Sequence, residues 1–316
     1  MPNWSDVLRE IQQYAEENGL AQEQAGQAFD AVRKKYLAEL HKLTGRNIIA
    51  YYSGFLSKPE LPGLDINDED KNGFMMAIHR LDRSKGLDLF LHTPGGNIHA
   101  TQSIVNYLHK MFGNDIRAIV PQIAMSAGTM MACSCRSIIM GAQSNIGPID
   151  PHMRDIPCYG VIDEFKRAFR EVKADNTKVL IWQHIIGQYR PTFISQCENA
   201  IRLSNAFVKD QLVNVMFAGE QDAEVKAKNV VKTLSNYRGN KSHSRHIHAE
   251  DCAAIGLNIE TLETDGNEQL QDLILTVHHC YMHLLMNTNA FKTIENHIGS
   301  AMTKSLRIQL QQPPPH

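Results

Sequence analysis

The sequence predicts an α/β fold built on a parallel sheet, and three observations carry that expectation. Between residues 47 and 151, short apolar runs of strand character alternate with amphipathic stretches at helical spacing. Tight turns, not long loops, join them, as short un-knotted βα connections require. Hydrophobic residues make up 43% of the 316, enough for a substantial core.

Taken in order, the chain opens with Trp4, Val7, Leu8, Ile11 and Tyr14 at helical spacing. Ala28, Val32, Tyr36 and Leu40 resume the pattern beyond the Asn18-Gly19 break. Residues 1–45 are therefore expected to form a helical hairpin, an accessory layer or an oligomer contact. Asn47-Ile-Ile-Ala-Tyr-Tyr52 reads as a strand, and Pro59, Pro62 and Gly63 mark a loop. Asn67 or Asp68 is placed to cap a helix carrying Phe74, Met75, Ile78 and Leu81. Residues 87–91 form the next strand, 93–97 a turn, and a helix follows with Ile104, Val105, Leu108 and Met111 on one face. Residues 116–120 are a strand, a helix starts near Ser126, and residues 137–140 are another strand. From 161 to 236 the chain reads mainly helical, with further helices over 249–257 and 266–290. This divides the chain into an N-terminal extension (1–45), a main domain (46–300) and a disordered tail (301–316) that contains three consecutive prolines.

Composition excludes several classes of function. The 32 Lys+Arg nearly balance 34 Asp+Glu, leaving a formal net charge of −2 and no basic excess for nucleic acid or an anionic membrane. The most apolar stretch, 118–135, is interrupted by Pro121, Gln122, Ser126 and Gly128, so it reads as a buried strand and helix, not a membrane span. The N-terminus lacks a secretory pattern. Six scattered cysteines contain no C-x-x-C pair and are read as reduced thiols. The expectation is a soluble, cytoplasmic protein without a cofactor.

Two motifs carry the chemistry. The apolar run LDLFLHTPGG ends in Gly95-Gly96, and AMSAGT places Ser126 among small residues about thirty positions later. Paired glycines let backbone N–H groups approach a substrate carbonyl, since no Cβ blocks the way. A serine at a strand-to-helix junction offers a nucleophile, with free N–H groups at the helix start facing a developing oxyanion. Ser126 is the expected nucleophile, and the N–H groups of Gly95, Gly96 and Ala127 the expected oxyanion hole. Taken singly, each motif reads as tight packing or an ordinary turn; the pairing raises both.

In combination, LDLFLHTPGG, VPQIAMSAGTMMA, SNIGPIDP and GRNIIAYYSGFL resemble the serine dehydrogenase proteinase family of the Clp protease–crotonase superfamily, which is related to signal peptide peptidase A. The resemblance covers residues 45–300, and LTVHHCYMHLL and KTIENHIG look like that family's closing helices. It implies a spiral of ββα units, serine-dependent cleavage of a peptide or protein substrate, and assembly into a homo-oligomer.

The general base stays open at this level. His152 lies 26 positions after Ser126, just past GPIDP, similar to the histidine placement in Clp proteases. Histidine is poised to take a proton near neutral pH. The nearer family leads one to expect glutamine after GPIDP, and related membrane proteases use a Ser-Lys pair. Lys166 between Phe165 and Phe169, or Lys173, fits that scheme if burial keeps it neutral. No aspartate stands in the segment 242–248, where a Clp-type triad wants one. Asp150 and Asp163 are the substitutes, and Asp150 reads first as a turn residue beside Pro148 and Pro151. His243, His246 and His248 crowd together and His279 and His283 share a helix face, yet no H-E-x-x-H or cysteine partner appears, so no metal is expected. Two other functions compete with the peptidase: a non-catalytic Clp-like scaffold, and a crotonase-like acyl-CoA enzyme, against which the lack of glutamates in TPGG and AMSAGT counts.

Overall fold

The computed structural model describes residues 4–21, 24–153, 156–240 and 242–306. Two helices, α1 (Trp4–Glu17) and α2 (Ala25–Thr44), lead into β1 (Asn47–Ser53) and α3 (Asp70–Ile78). Then come β2 (Leu87–His92), α4 (Ile98–Phe112), β3 (Ile116–Val120), β4 (Ile123–Ala124), α5 (Ala127–Cys133), β5 (Ser137–Met140) and β6 (Asn145–Ile146). A small hairpin, β7 (His152–Met153) and β8 (Ile156–Pro157), precedes α6 (Cys158–Ala174), α7 (Val179–Ile186), α8 (Phe193–Gln211), α9 (Ala223–Leu234) and α10 (Tyr237–Asn240). The chain closes with β9 (Ile247–His248), α11 (Ala249–Ala254), β10 (Ile259–Thr261), α12 (Glu268–Asn287), β11 (Ala290–Asn296) and β12 (Ala301–Ser305).

The main sheet runs β10-β5-β3-β2-β1-β11-β12, parallel from β10 to β1, with β11 and β12 added antiparallel at one edge. Strand alternation sorts its side chains onto two faces. Ile49, Tyr51, Leu89, Leu91 and Ala118 face α3, α4, α5, α8 and α9. Ile48, Ala50, Tyr52, Phe90 and Ile119 face α2 and α12. Covered on both sides, the parallel strands read as continuous apolar runs, the usual consequence of double burial.

A second, narrow layer positions the site. After each main strand the chain makes a short strip that pairs with the strip of the next repeat: Ile66 with Gly96, Thr93 with Ala124, β4 with β6, and β6 with β9. This is the Clp–crotonase arrangement of ββα units. It gathers TPGG, AMSAGT, GPIDP and the segment before β9 along one ridge.

Four expectations need correction. The N-terminal hairpin is more than an accessory, because Leu37 and Leu40 of α2 are fully buried on the main sheet and Arg33 pairs with Glu295 of β11 at 2.5 Å. KTIENHIG is not a closing helix. Residues 290–296 form strand β11, whose β-branched and aromatic residues pair with β1. The tail does not begin at 301 either, since β12 extends the sheet to Ser305 by pairing with β11; residues 307–316 lie outside the described residues. Neither Asn67 nor Asp68 is the cap of α3: Asn67 accepts from the N–H of Glu69 in the preceding turn, and Glu69 holds the N-cap position without a side-chain cap bond.

Candidate active site

The turn after β2 and the turn after β4 are stitched together by backbone. Thr93 N–H donates to Ile123 O at 3.2 Å, and Met125 N–H donates to Thr93 O at 3.0 Å. This fixes Gly95-Gly96 against Ser126. Gly95 has φ +100, and a Cβ there would lie 2.7 Å from Met125 O, 2.8 Å from Ser126 Cβ and 3.0 Å from Ala127 N. Glycine alone fits both the angle and the space.

Ser126 stands at the turn from β4 into α5 with φ +51 and ψ −113, one of three described non-glycine residues at positive φ. Such backbone strain costs of order 1–3 kcal/mol and persists where the surroundings over-determine it. Here Thr129 does so: its hydroxyl donates to Ala124 O at 2.9 Å and receives the N–H of Gly147 at 3.0 Å, locking β4, α5 and the GPIDP strip together. Ser126 is partly exposed while Met125 and Ala127 are buried, so the turn presents the serine and hides its neighbours.

An accounting of N–H groups refines the expected oxyanion donors. Gly95 N–H is already spent on Thr93 Oγ1 at 3.2 Å. Among the described residues, neither Gly96 N–H nor Ala127 N–H has a partner. The two free donors flank the point where Gly95 touches Ser126.

The strip after β6 continues beside this turn, since a Cβ on Gly147 would meet Met125 Cα at 3.4 Å. Asp150 follows three residues on and is 1% exposed. It is not the backbone-bonded turn residue expected from its neighbouring prolines. Its Oδ1 lies 3.0 Å from His243 Nδ1 and its Oδ2 lies 3.3 Å from His152 Nε2. The two imidazoles are tilted over one another with centroids 4.1 Å apart. Burial pushes the Asp150 carboxyl up, but the bonds from His152 and His243 outweigh it and leave the group below the ordinary carboxylate range. An ionised carboxylate only accepts, so both rings donate to it.

Comparison with known proteins settles the family. The ClpP-like SDH-type serine proteinase family matches residues 21–278. The chain belongs to that family. It is also 29% identical over 196 residues to an uncharacterized protein of Methanocaldococcus jannaschii, covering 62% of this chain and 61% of that one. A second uncharacterized protein of the same organism is 24% identical over 234 residues, 72% of each. The chain thus spans about three fifths of the first relative's length.

Within this member of the SDH-type family, the remaining candidate residues fall elsewhere. Lys166 and Lys173 are exposed on α6, so the burial that a neutral lysine needs is missing and the aromatic neighbours do not supply it. Phe169 itself is 70% exposed. Asp163 pairs with Arg238 through two bonds of 2.8 Å, away from the histidines. Among the described residues Ser126 Oγ makes no hydrogen bond to His152, His243 or either lysine. His243 is the residue that motif reading did not name as a site member; its signal was its place in 242–248, the segment where a Clp-type triad wants its third member, and the strip that follows it, β9, pairs with the one that leads into GPIDP. No described helix is long and apolar enough to cross a membrane.

Proposed function

We propose that the chain is a serine peptidase that cleaves peptide or protein substrates through an acyl-enzyme on Ser126. The observation that carries this reading is the strained Ser126 turn set between the unpaired N–H groups of Gly96 and Ala127. A substrate carbonyl seated there gains two donors where negative charge develops, and losing one such donor typically costs about 100- to 1000-fold in rate. Gly95, expected as a donor, instead supplies the clearance that lets Gly96 and Ala127 converge.

The proton goes to the histidine pair on Asp150. His243 presents Nδ1–H to Asp150 and keeps Nε2 free, the orientation a Ser-His-Asp site uses. His152, the base expected from sequence position, presents Nε2 and keeps Nδ1 free. Either ring takes the Ser126 proton during attack, becomes imidazolium beside the carboxylate, and returns the proton to the leaving amine; water then releases the acyl group. The ring must close on Ser126 when substrate binds, as catalytic hydrogen bonds are often long in the free enzyme. Lys166 is the weaker alternative, for want of burial. A cytoplasmic homo-oligomer completes the proposal, with light scattering as the check on assembly.

Fluorophosphonate labelling tests the reading. Wild type should label, Ser126→Ala should not, and His243→Ala or His152→Ala should identify the base. A folded wild type that never labels would favour the scaffold reading, which the unbonded Ser126 Oγ supports.

A further inference from the structure

We infer that Asp150, His152 and His243 form a binding site for a divalent transition metal of the zinc class, and that filling it switches the peptidase site off. The switching half rests on the peptidase reading; the binding half does not.

Proton transfer needs one histidine oriented by one carboxylate. This ridge carries two histidines on the same carboxylate, one bonded to each oxygen. The donor atoms of all three residues lie within 4.8 Å of one another. Tetrahedral zinc, with bonds of about 2.0–2.1 Å, sets neighbouring donors about 3.3 Å apart. The nitrogens lie 3.0 Å from Asp150 Oδ1 and 3.3 Å from Oδ2, close to that spacing, so an ion on the carboxylate takes the place of the shared hydrogens once the two rings converge on it. Imidazole and carboxylate are the ligand types such ions take, and three protein ligands leave one position for water. The carboxylate is buried, whereas the two imidazoles are 26% and 23% exposed, which gives an ion a way in.

Metal binding changes what the rings can do. A neutral imidazole has one N–H and one lone pair. Bonded to Asp150, His243 has its lone pair on Nε2 and His152 on Nδ1, the side away from the carboxylate. A metal beside Asp150 takes a lone pair on His243 Nδ1 and His152 Nε2, which moves each ring proton to the opposite nitrogen. Neither ring then has a lone pair to accept the Ser126 proton. The switch works whichever histidine is the base.

The test is a zinc titration of the full chain, read by competition with a chromogenic chelator, for wild type, His243→Ala, His152→Ala and Asp150→Asn. Fluorophosphonate labelling of wild type is followed in parallel, metal-free, with zinc, and with zinc then EDTA. The expected result is one zinc per chain, bound about 10-fold or more weaker in each variant, with labelling lost on zinc and restored by EDTA. Circular dichroism of each variant shows that it is folded. Absence of stoichiometric binding, or binding unchanged in all three variants, overturns the site; buried cysteines and other histidines would then hold any bound zinc. Binding that leaves labelling intact, or raises it, overturns the switch. If metal-free wild type never labels, the peptidase reading and the switch fail together, and the zinc titration alone decides the site.

Discussion

Gly95 and Ser126 are packed so closely that a Cβ on the glycine would lie 2.8 Å from the serine Cβ. The contact ties the expected oxyanion turn to the proposed nucleophile through volume alone. Gly95→Ala therefore has nowhere to go, and its φ of +100 adds strain. The substitution should push Ser126 and Ala127 away from Gly96, reducing labelling about 100-fold or more while circular dichroism stays native. Labelling within a few-fold of wild type would show that this contact does not set the site.

Surface lysines separate the two schemes for the base. Lys166→Ala and Lys173→Ala remove exposed charges on α6 and should leave labelling rates within about two-fold, since nothing buries either ammonium. A large loss from Lys166→Ala in a folded protein would restore the Ser-Lys scheme and displace the histidine pair.

Acid should loosen the fold through His92. The ring is fully buried at the end of β2, with both nitrogens unpartnered among the described residues. Burial pushes its pKa down to about 3. The unfolded chain, with an ordinary histidine, binds a proton that the folded state refuses. Stability is therefore complete above about pH 6.5 and declines as pH falls toward 3, by about 2 kcal/mol for this one group at pH 5. Urea midpoints across pH 5–7.5 check the trend. His92→Leu should flatten that limb, and an unchanged slope would exclude His92 as the cause.

The docking of α2 rests on a buried ion pair. Arg33 and Glu295 are 2% and 0% exposed, and Tyr281 also donates to Glu295 at 3.0 Å. Arg33→Met alone strands the carboxylate and should cost roughly 3–5 kcal/mol, whereas Arg33→Met with Glu295→Leu should recover much of it. Thermal melts of the three proteins test this. A single variant as stable as wild type would mean that water compensates the charge.

Removing the two N-terminal helices should have graded effects. α1 buries only Val7 and Ile11, while α2 covers the sheet with Leu37 and Leu40. Deleting residues 1–21 should leave a folded core, and deleting 1–45 should expose the second sheet face and yield insoluble chain. A soluble, cooperatively melting 46–316 fragment would show that the hairpin is an accessory layer after all.

Much of this molecule is legible in its sequence. The alternating apolar runs at 47–52, 87–91, 116–120 and 137–140 became β1, β2, β3 and β5, because a parallel strand buried on both faces must be apolar along its length. TPGG and AMSAGT were readable because each local conformation demands small residues. KTIENHIG was not readable as a strand, because its pairing with β1 spans some 240 residues and leaves no local trace. His243 and Asp150 were equally hidden: a polar segment and a proline-flanked turn look like surface until the β6–β9 pairing brings them together.

The sequence by itself determined the parallel α/β core, the identity of the candidate nucleophile and the glycine turn opposite it, because these depend on periodicity and on the volume of neighbouring residues. Tertiary structure alone decided which N–H groups remain free, that Lys166 is exposed, and that one buried carboxylate gathers two histidines from segments about 90 residues apart. Hydrogen-bond partnership and burial are properties of the packed chain. They depend on what the rest of the fold brings alongside, and no local window of sequence contains that.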